Sequence, residues 1–124
     1  MTLRILPIAG LLALAIFACV QAAPAAPERR VVVVVDAAAG HDPAVLEEAR
    51  AAVARAGSEA QLRVPRTSTE QLSVTHYFAA KRYTLVVGVG LDHRVAVAPV
   101  EEKYPRTQFI SAEPGHVAEA LAAA

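Results

Sequence analysis

The chain is expected to fold as an α/β domain, a three-layer αβα arrangement around a parallel sheet of about four strands. Three observations predict this. Val31 to Val35 is an unbroken run of valine with no polar alternation, the mark of a strand covered on both faces. Tyr83 to Val87 (YTLVV) is a second run of the same kind. Amphipathic stretches of helical length separate the apolar runs, so strand and helix alternate as they do in βαβ units. The 124 residues suit one domain, long enough to bury a core without disulfides or metal.

The first segment lies outside that domain. Residues 1–26 read MTLRILPIAGLLALAIFACVQAAPAA: one positive charge at Arg4, an apolar run from Ile5 to Val20, then small residues with proline. This is the three-part order of a secretory signal, and the apolar run falls short of the roughly 20 residues a spanning helix needs. Two processing routes fit. Val20-Gln21-Ala22 offers the small or apolar −3 and −1 positions of an ordinary signal peptidase. Ile16-Phe17-Ala18-Cys19 resembles a bacterial lipobox, which would make Cys19 a lipidation site, with Phe17 departing from the usual residue. The expected organisation is a signal over 1–22, an Ala/Pro linker over 23–30 and the α/β domain over 31–124. The protein is therefore expected outside the cytoplasm, in the periplasm or held to the membrane by lipid.

Lys+Arg and Asp+Glu both number 12, and all the acids follow residue 27. Such a balance supplies no basic field for nucleic acid. Aromatic residues make up 5% with no Trp, too few for a platform on which bases or sugars stack. The single Cys belongs to the leader, so the domain is left with neither thiol chemistry nor an internal disulfide.

After the valine strand, Asp36 ends the run and Ala37-Ala38-Ala39-Gly40 is expected as a small-residue loop. Asp42-Pro43 opens a helix, with Asp as N-cap and Pro at the first position. Val45, Leu46, Ala49, Ala52, Val53 and Ala56 then recur at helical spacing, and Gly57 closes it. Ala60 to Val64 is a short strand stopped by Pro65. Thr67 or Ser68 caps a second helix to about Lys81, with Glu70 or Gln71 placed for a capping box. The YTLVV strand leads to Gly88-Val89-Gly90. Asp92 is placed to cap a helix over about Arg94 to Tyr104, in whose first turns Pro99 must sit unless it kinks the helix. Thr107 to Ser111 is a fourth strand, and Glu113-Pro114 starts a last helix over His116 to Ala124.

Open parallel sheets bind ligands beyond the carboxyl ends of their strands, near the point where strand order reverses. The loops in that position are Asp36 to Asp42, Gly88 to Asp92 and Ser111 to Gly115. Asp36, Gly90, Asp92 and Glu113 are thus the candidate ligand-binding residues, although Asp92 and Asp42 also sit where helix N-caps belong. Gly88-Val89-Gly90 is too short for a dinucleotide fingerprint, and there is no P-loop. His41, His76, His93 and His116 lack metal-ligand spacing, and there is no GxSxG. No catalytic residue, metal or cofactor is expected, and the chain does not read as an enzyme.

The segment YTLVVGVGLDHRVAVAPVEEKYPRTQFISAE resembles the BMP family of basic membrane lipoproteins, the solute-binding proteins of ABC importers. Tyr83, Leu85, Gly88, Gly90, Lys103-Tyr104-Pro105 and Phe109 fit the family frame of a strand, a glycine loop, a helix ending in K-Y-P and another strand. The resemblance extends to the first strand and its Asp36, Gly40 and Asp42. It implies half of one lobe of a type 1 periplasmic binding protein, flavodoxin-like in topology, a nucleoside-type solute as ligand and an ABC permease as partner. It also implies that Asp36 and Glu113 face the ligand, Glu113 standing where the family has Asp. The family's loop continues S-F-N, whose Phe stacks on a base; here Pro43-Ala44-Val45 follows. The family encloses its ligand between two lobes, so this length implies a partial domain or surface supplied by another copy. A structural domain that self-associates as a homodimer, with no small ligand, is the alternative expectation. A small flavodoxin-like enzyme or regulator is a third, lacking any phosphate loop or nucleophile.

Overall fold

The structure is a computed structural model and describes residues 29–124. The expected signal, most of the expected linker and the candidate lipidation site Cys19 lie outside the described residues.

Alternation within the valine run decides the architecture. In β1 (Val31–Val35) side chains point alternately to the two faces of the sheet. Val31, Val33 and Val35 join one core, with Ala49 and Val117. Val32 and Val34 join a second, with Phe78, Tyr83 and Val86. Every residue of β1 is buried, so helices cover both faces and the domain has the three layers expected.

The sheet has four strands in the order β2-β1-β3-β4, all parallel. The outer pair are β2 (Gln61–Arg63) and β4 (Gln108–Ala112); β3 (Leu85–Val89) lies beside β1. The register runs from Val31 opposite Leu85 to Val35 opposite Val89. The two most apolar runs are therefore the inner strands. From β1 the chain crosses to one side to make β2, then returns past β1 to make β3 and β4, which puts the reversal of strand order between β1 and β3.

Asp36 begins α1 (Ala37–Gly40), a single helical turn where a loop was expected. The reason is local: the Asp36 carboxylate accepts the Ala39 N–H at 2.8 Å, and alanine has the highest helix propensity. Helix α2 (Pro43–Ala56) has the expected bounds, with Asp42 accepting the Ala44 N–H at 2.9 Å and Gly57 leaving the helix at φ +118°. Helix α3 (Ser68–Ala80) is capped by Thr67, which accepts the Glu70 N–H. The Glu70 carboxylate returns to the N–H of Arg66, one residue earlier than in the usual capping box.

Strand β3 starts two residues later than the apolar run suggested. Tyr83 completes the turn after α3, its N–H donating to Phe78 O, and the Thr84 N–H then reaches Arg30 O just ahead of β1. The expected continuous helix over 94–104 is broken in two. His93–Val97 is a widened, π-type turn and α4 (Ala98–Lys103) follows it. Pro99 has no N–H to give to a ladder. The widened turn places it at the start of α4, where no intrahelical bond is required of it. Strand β4 begins and ends one residue later than expected. Before α5 (Val117–Ala123), Glu113, Pro114 and Gly115 form a turn instead of a first helical turn. Gly115 adopts φ +92° there and its N–H meets the Glu48 carboxylate at 3.1 Å. Helices α2 and α5 pack together on one face of the sheet; α3, the π turn and α4 cover the other.

Candidate functional site

The reversal point between β1 and β3 brings two of the predicted residues into contact. The Asp36 N–H donates to Val89 O at 2.9 Å, which ties the ends of the two inner strands together. Gly90 then turns at φ +74°. A Cβ on Gly90 would lie 2.6 Å from Asp36 Oδ1 and 2.9 Å from its Cγ. Glycine at 90 is therefore what lets the half-buried carboxylate lie over the backbone of the neighbouring loop. The same carboxylate caps α1, so its position is set from two directions.

Asp92 is held differently. Its backbone N–H donates to Gln71 Oε1 at 2.9 Å, and its carboxylate accepts the Val95 N–H at 3.3 Å as cap of the π turn. It is bound towards α3 and serves local structure. Glu113 is exposed on the turn after β4. Two strand spacings separate the end of β4 from that of β1, about 10 Å at the usual distance between strands. Asp36 and Gly90 thus form the centre of the rim, Asp92 is engaged beside it, and Glu113 stands at its far side.

Between β3, β4 and the π turn, Gly88, Leu91, His93, Phe109 and Ser111 line a cavity of about 40 Å3, room for little more than a water. Leu91 closes it from above: a Cβ on Gly88 would meet its side chain at 2.7 Å. Gln71, only 6% exposed, and Leu91 shape this rim; the sequence pointed to Gln71 only as a capping-box candidate and gave Leu91 no role. Their signals are weak. A glutamine on a helix reads as a solvated residue until another loop is seen to need its amide oxygen.

Chemically, a carboxylate lying over glycine backbone accepts hydrogen bonds from hydroxyl or amino donors. Among the described residues no group of three or more His, Cys, Asp and Glu is gathered to hold a metal ion, and no helix is long and apolar enough to cross a membrane. Compared with protein-family models, curated proteins and solved structures, the chain matches none.

Proposed function

We propose that this chain is an exported, non-catalytic solute-binding domain of an ABC importer system, built as a type 1 periplasmic-binding-protein half-lobe of the BMP kind. Its ligand is a nucleoside-type solute and its partner is the importer's permease. The observation that carries this reading is the placement of Asp36 over Gly90 at the reversal of strand order, where open parallel sheets take their ligands. Asp36 accepts hydrogen bonds from the solute's hydroxyls, Gly90 leaves the Asp36 carboxylate the space it occupies, and Asp92 and Glu113 flank the ligand. The leader supports export, with Cys19 lipidated or the chain cut after Ala22. A thermal-shift and calorimetric screen of the natively processed protein against purine and pyrimidine nucleosides tests the proposal. A bound solute raises the melting temperature in proportion to its saturation. No response from any nucleoside at millimolar concentration overturns it.

One observation favours the second reading, a self-associating structural domain. The Gln108 N–H donates to Thr84 O, so by ladder alternation Phe109 and Ser111 turn their backbone groups away from β3. No strand among the described residues pairs with that side of β4. The strand reads QFISA, without the charge or proline that blunts an edge. Antiparallel pairing of two β4 strands gives a continuous sheet through a homodimer. Sedimentation showing a dimer that ignores nucleosides, and that Ser111→Lys dissociates, supports this reading; a monomer at all concentrations removes it.

A further inference from the structure

The opposite end of the sheet carries a larger concavity. Below the amino ends of β3 and β4, between the last turn of α3 and the turn joining α4 to β4, lies a cavity of about 570 Å3. Arg82, Lys103 and Arg106 line it, together with Tyr104 and Thr107, and among the described residues no carboxylate does. This volume falls within the range of small-molecule sites. The Tyr104 ring is steadied from behind by His76, with ring centroids 5.3 Å apart and the hydroxyl 3.2 Å from Nε2.

Arg82 is the telling residue. It has φ +64°, the one non-glycine residue in the left-handed region among those described. It closes α3: its N–H donates to Ala79 O and that of Tyr83 to Phe78 O, both at 3.0 Å. Helices ending in this pattern place glycine at this position, because a Cβ is strained there. A cation near a helix C-terminus offsets the macrodipole, but Lys81 already supplies one beside it. The dipole therefore explains a charge here without explaining a strained arginine. The carbonyls at this end are also taken, Lys81 O by the Arg30 guanidinium at 3.0 Å and Val100 O by the Tyr104 N–H at 2.8 Å. Lys103 Nζ stands over the Tyr104 ring, 5.7 Å from its centroid, so lysine and ring present one joint surface with Arg82 and Arg106 to whatever enters the cavity.

We propose that this cavity is a second site, separate from the rim around Asp36, and that it binds the phosphate group of a small organic ester or of a lipid headgroup through Arg82, Lys103 and Arg106. Arginine matches phosphate oxygens with its planar fork, lysine adds a point charge, and Tyr104 offers a face to the organic part. Both sources present the same chemistry, and two probes separate them.

Natively processed protein is titrated with glycerol 3-phosphate by calorimetry, and assayed for flotation with phosphatidylglycerol and with phosphatidylcholine vesicles. Saturable glycerol 3-phosphate binding assigns a soluble ester. Binding to phosphatidylglycerol vesicles alone, with phosphatidylcholine inert, assigns a lipid headgroup. In either case Arg82→Gly holds or raises the melting temperature, since it relieves the strained turn, yet weakens binding at least tenfold. Arg106→Ala weakens it similarly, and Arg50→Ala, an exposed cation away from the cavity, leaves it within twofold. Neither probe binding, or Arg82→Gly and Arg106→Ala both binding as the parent does, overturns the proposal.

Discussion

Replacing Gly90 by alanine examines the contact on which the rim depends. Three effects enter. The left-handed backbone at φ +74° disfavours an L-residue by about 1–2 kcal/mol. The new Cβ, 2.6 Å from Asp36 Oδ1, pushes the carboxylate off the Ala39 N–H and forfeits an N-cap interaction of about 1 kcal/mol. Against these, alanine restricts the unfolded chain and returns about 0.4–1 kcal/mol. The net expectation is a loss of about 1–3 kcal/mol in urea unfolding, a large part of the stability of a small domain. Gly115→Ala serves as the control. Gly115 also has positive φ, at +92°, but nothing stands within 4 Å of its Cβ position, so it carries the backbone effect alone. Gly90→Ala should thus be the more damaging by about 1 kcal/mol, the cap contribution. In an Asp36→Ala background that excess should vanish, a coupling a double-mutant cycle reads directly. Equal losses at 90 and 115, or a Gly90→Ala effect unchanged by Asp36→Ala, would refute the argument that carboxylate and glycine are fitted to each other.

Other perturbations have defined outcomes. Thr75→Val keeps the shape of a fully buried side chain but removes the hydroxyl that donates to Ala96 O at 2.6 Å across the α3–π-turn contact; chemical denaturation should show a loss of about 1–2 kcal/mol, and unchanged stability would mean the bond is dispensable. Gln71→Leu leaves the Asp92 N–H without its acceptor; about 1–3 kcal/mol should be lost, with faster amide exchange confined to the Asp92 turn. Val33→Ala empties space at a completely buried site between inner strands and should cost about 2 kcal/mol; a cost under half that would show the core collapsing around the change.

The architecture was open to reading because its signals are local. The valine run needs cover on two sides whatever its neighbours are, and Asp42-Pro43 with Gly57 marks both ends of α2 within its own residues. What stayed hidden depends on residues far apart in the chain. The start of β3 is displaced because Arg82 lets Tyr83 finish the α3 turn, and a tyrosine ahead of valines gives no sign of which element owns it. The interruption before α4 is written in Pro99, but a widened turn and a kink read alike in one dimension. At the rim, Asp36 and Gly90 could be assigned to one loop level once β1 and β3 were taken as neighbours. Their contact, the capture of Asp92 by Gln71 and the distance to Glu113 follow from strand order and packing. Ala37 to Gly40 shows the converse: small residues before a glycine suit a loop and a capped turn equally, and the Asp36 carboxylate decides for the turn.

The central claim, that the strand-order reversal at Asp36 and Gly90 is where a solute binds, is met most directly by following backbone amide resonances of the protein as a nucleoside is added. The account predicts saturable shifts at Ala39, Gly90 and Asp92, with the amides of Arg82 and Arg106 at the far end unmoved. Amides at the rim that stay still, or shifts confined to another surface, would contradict it.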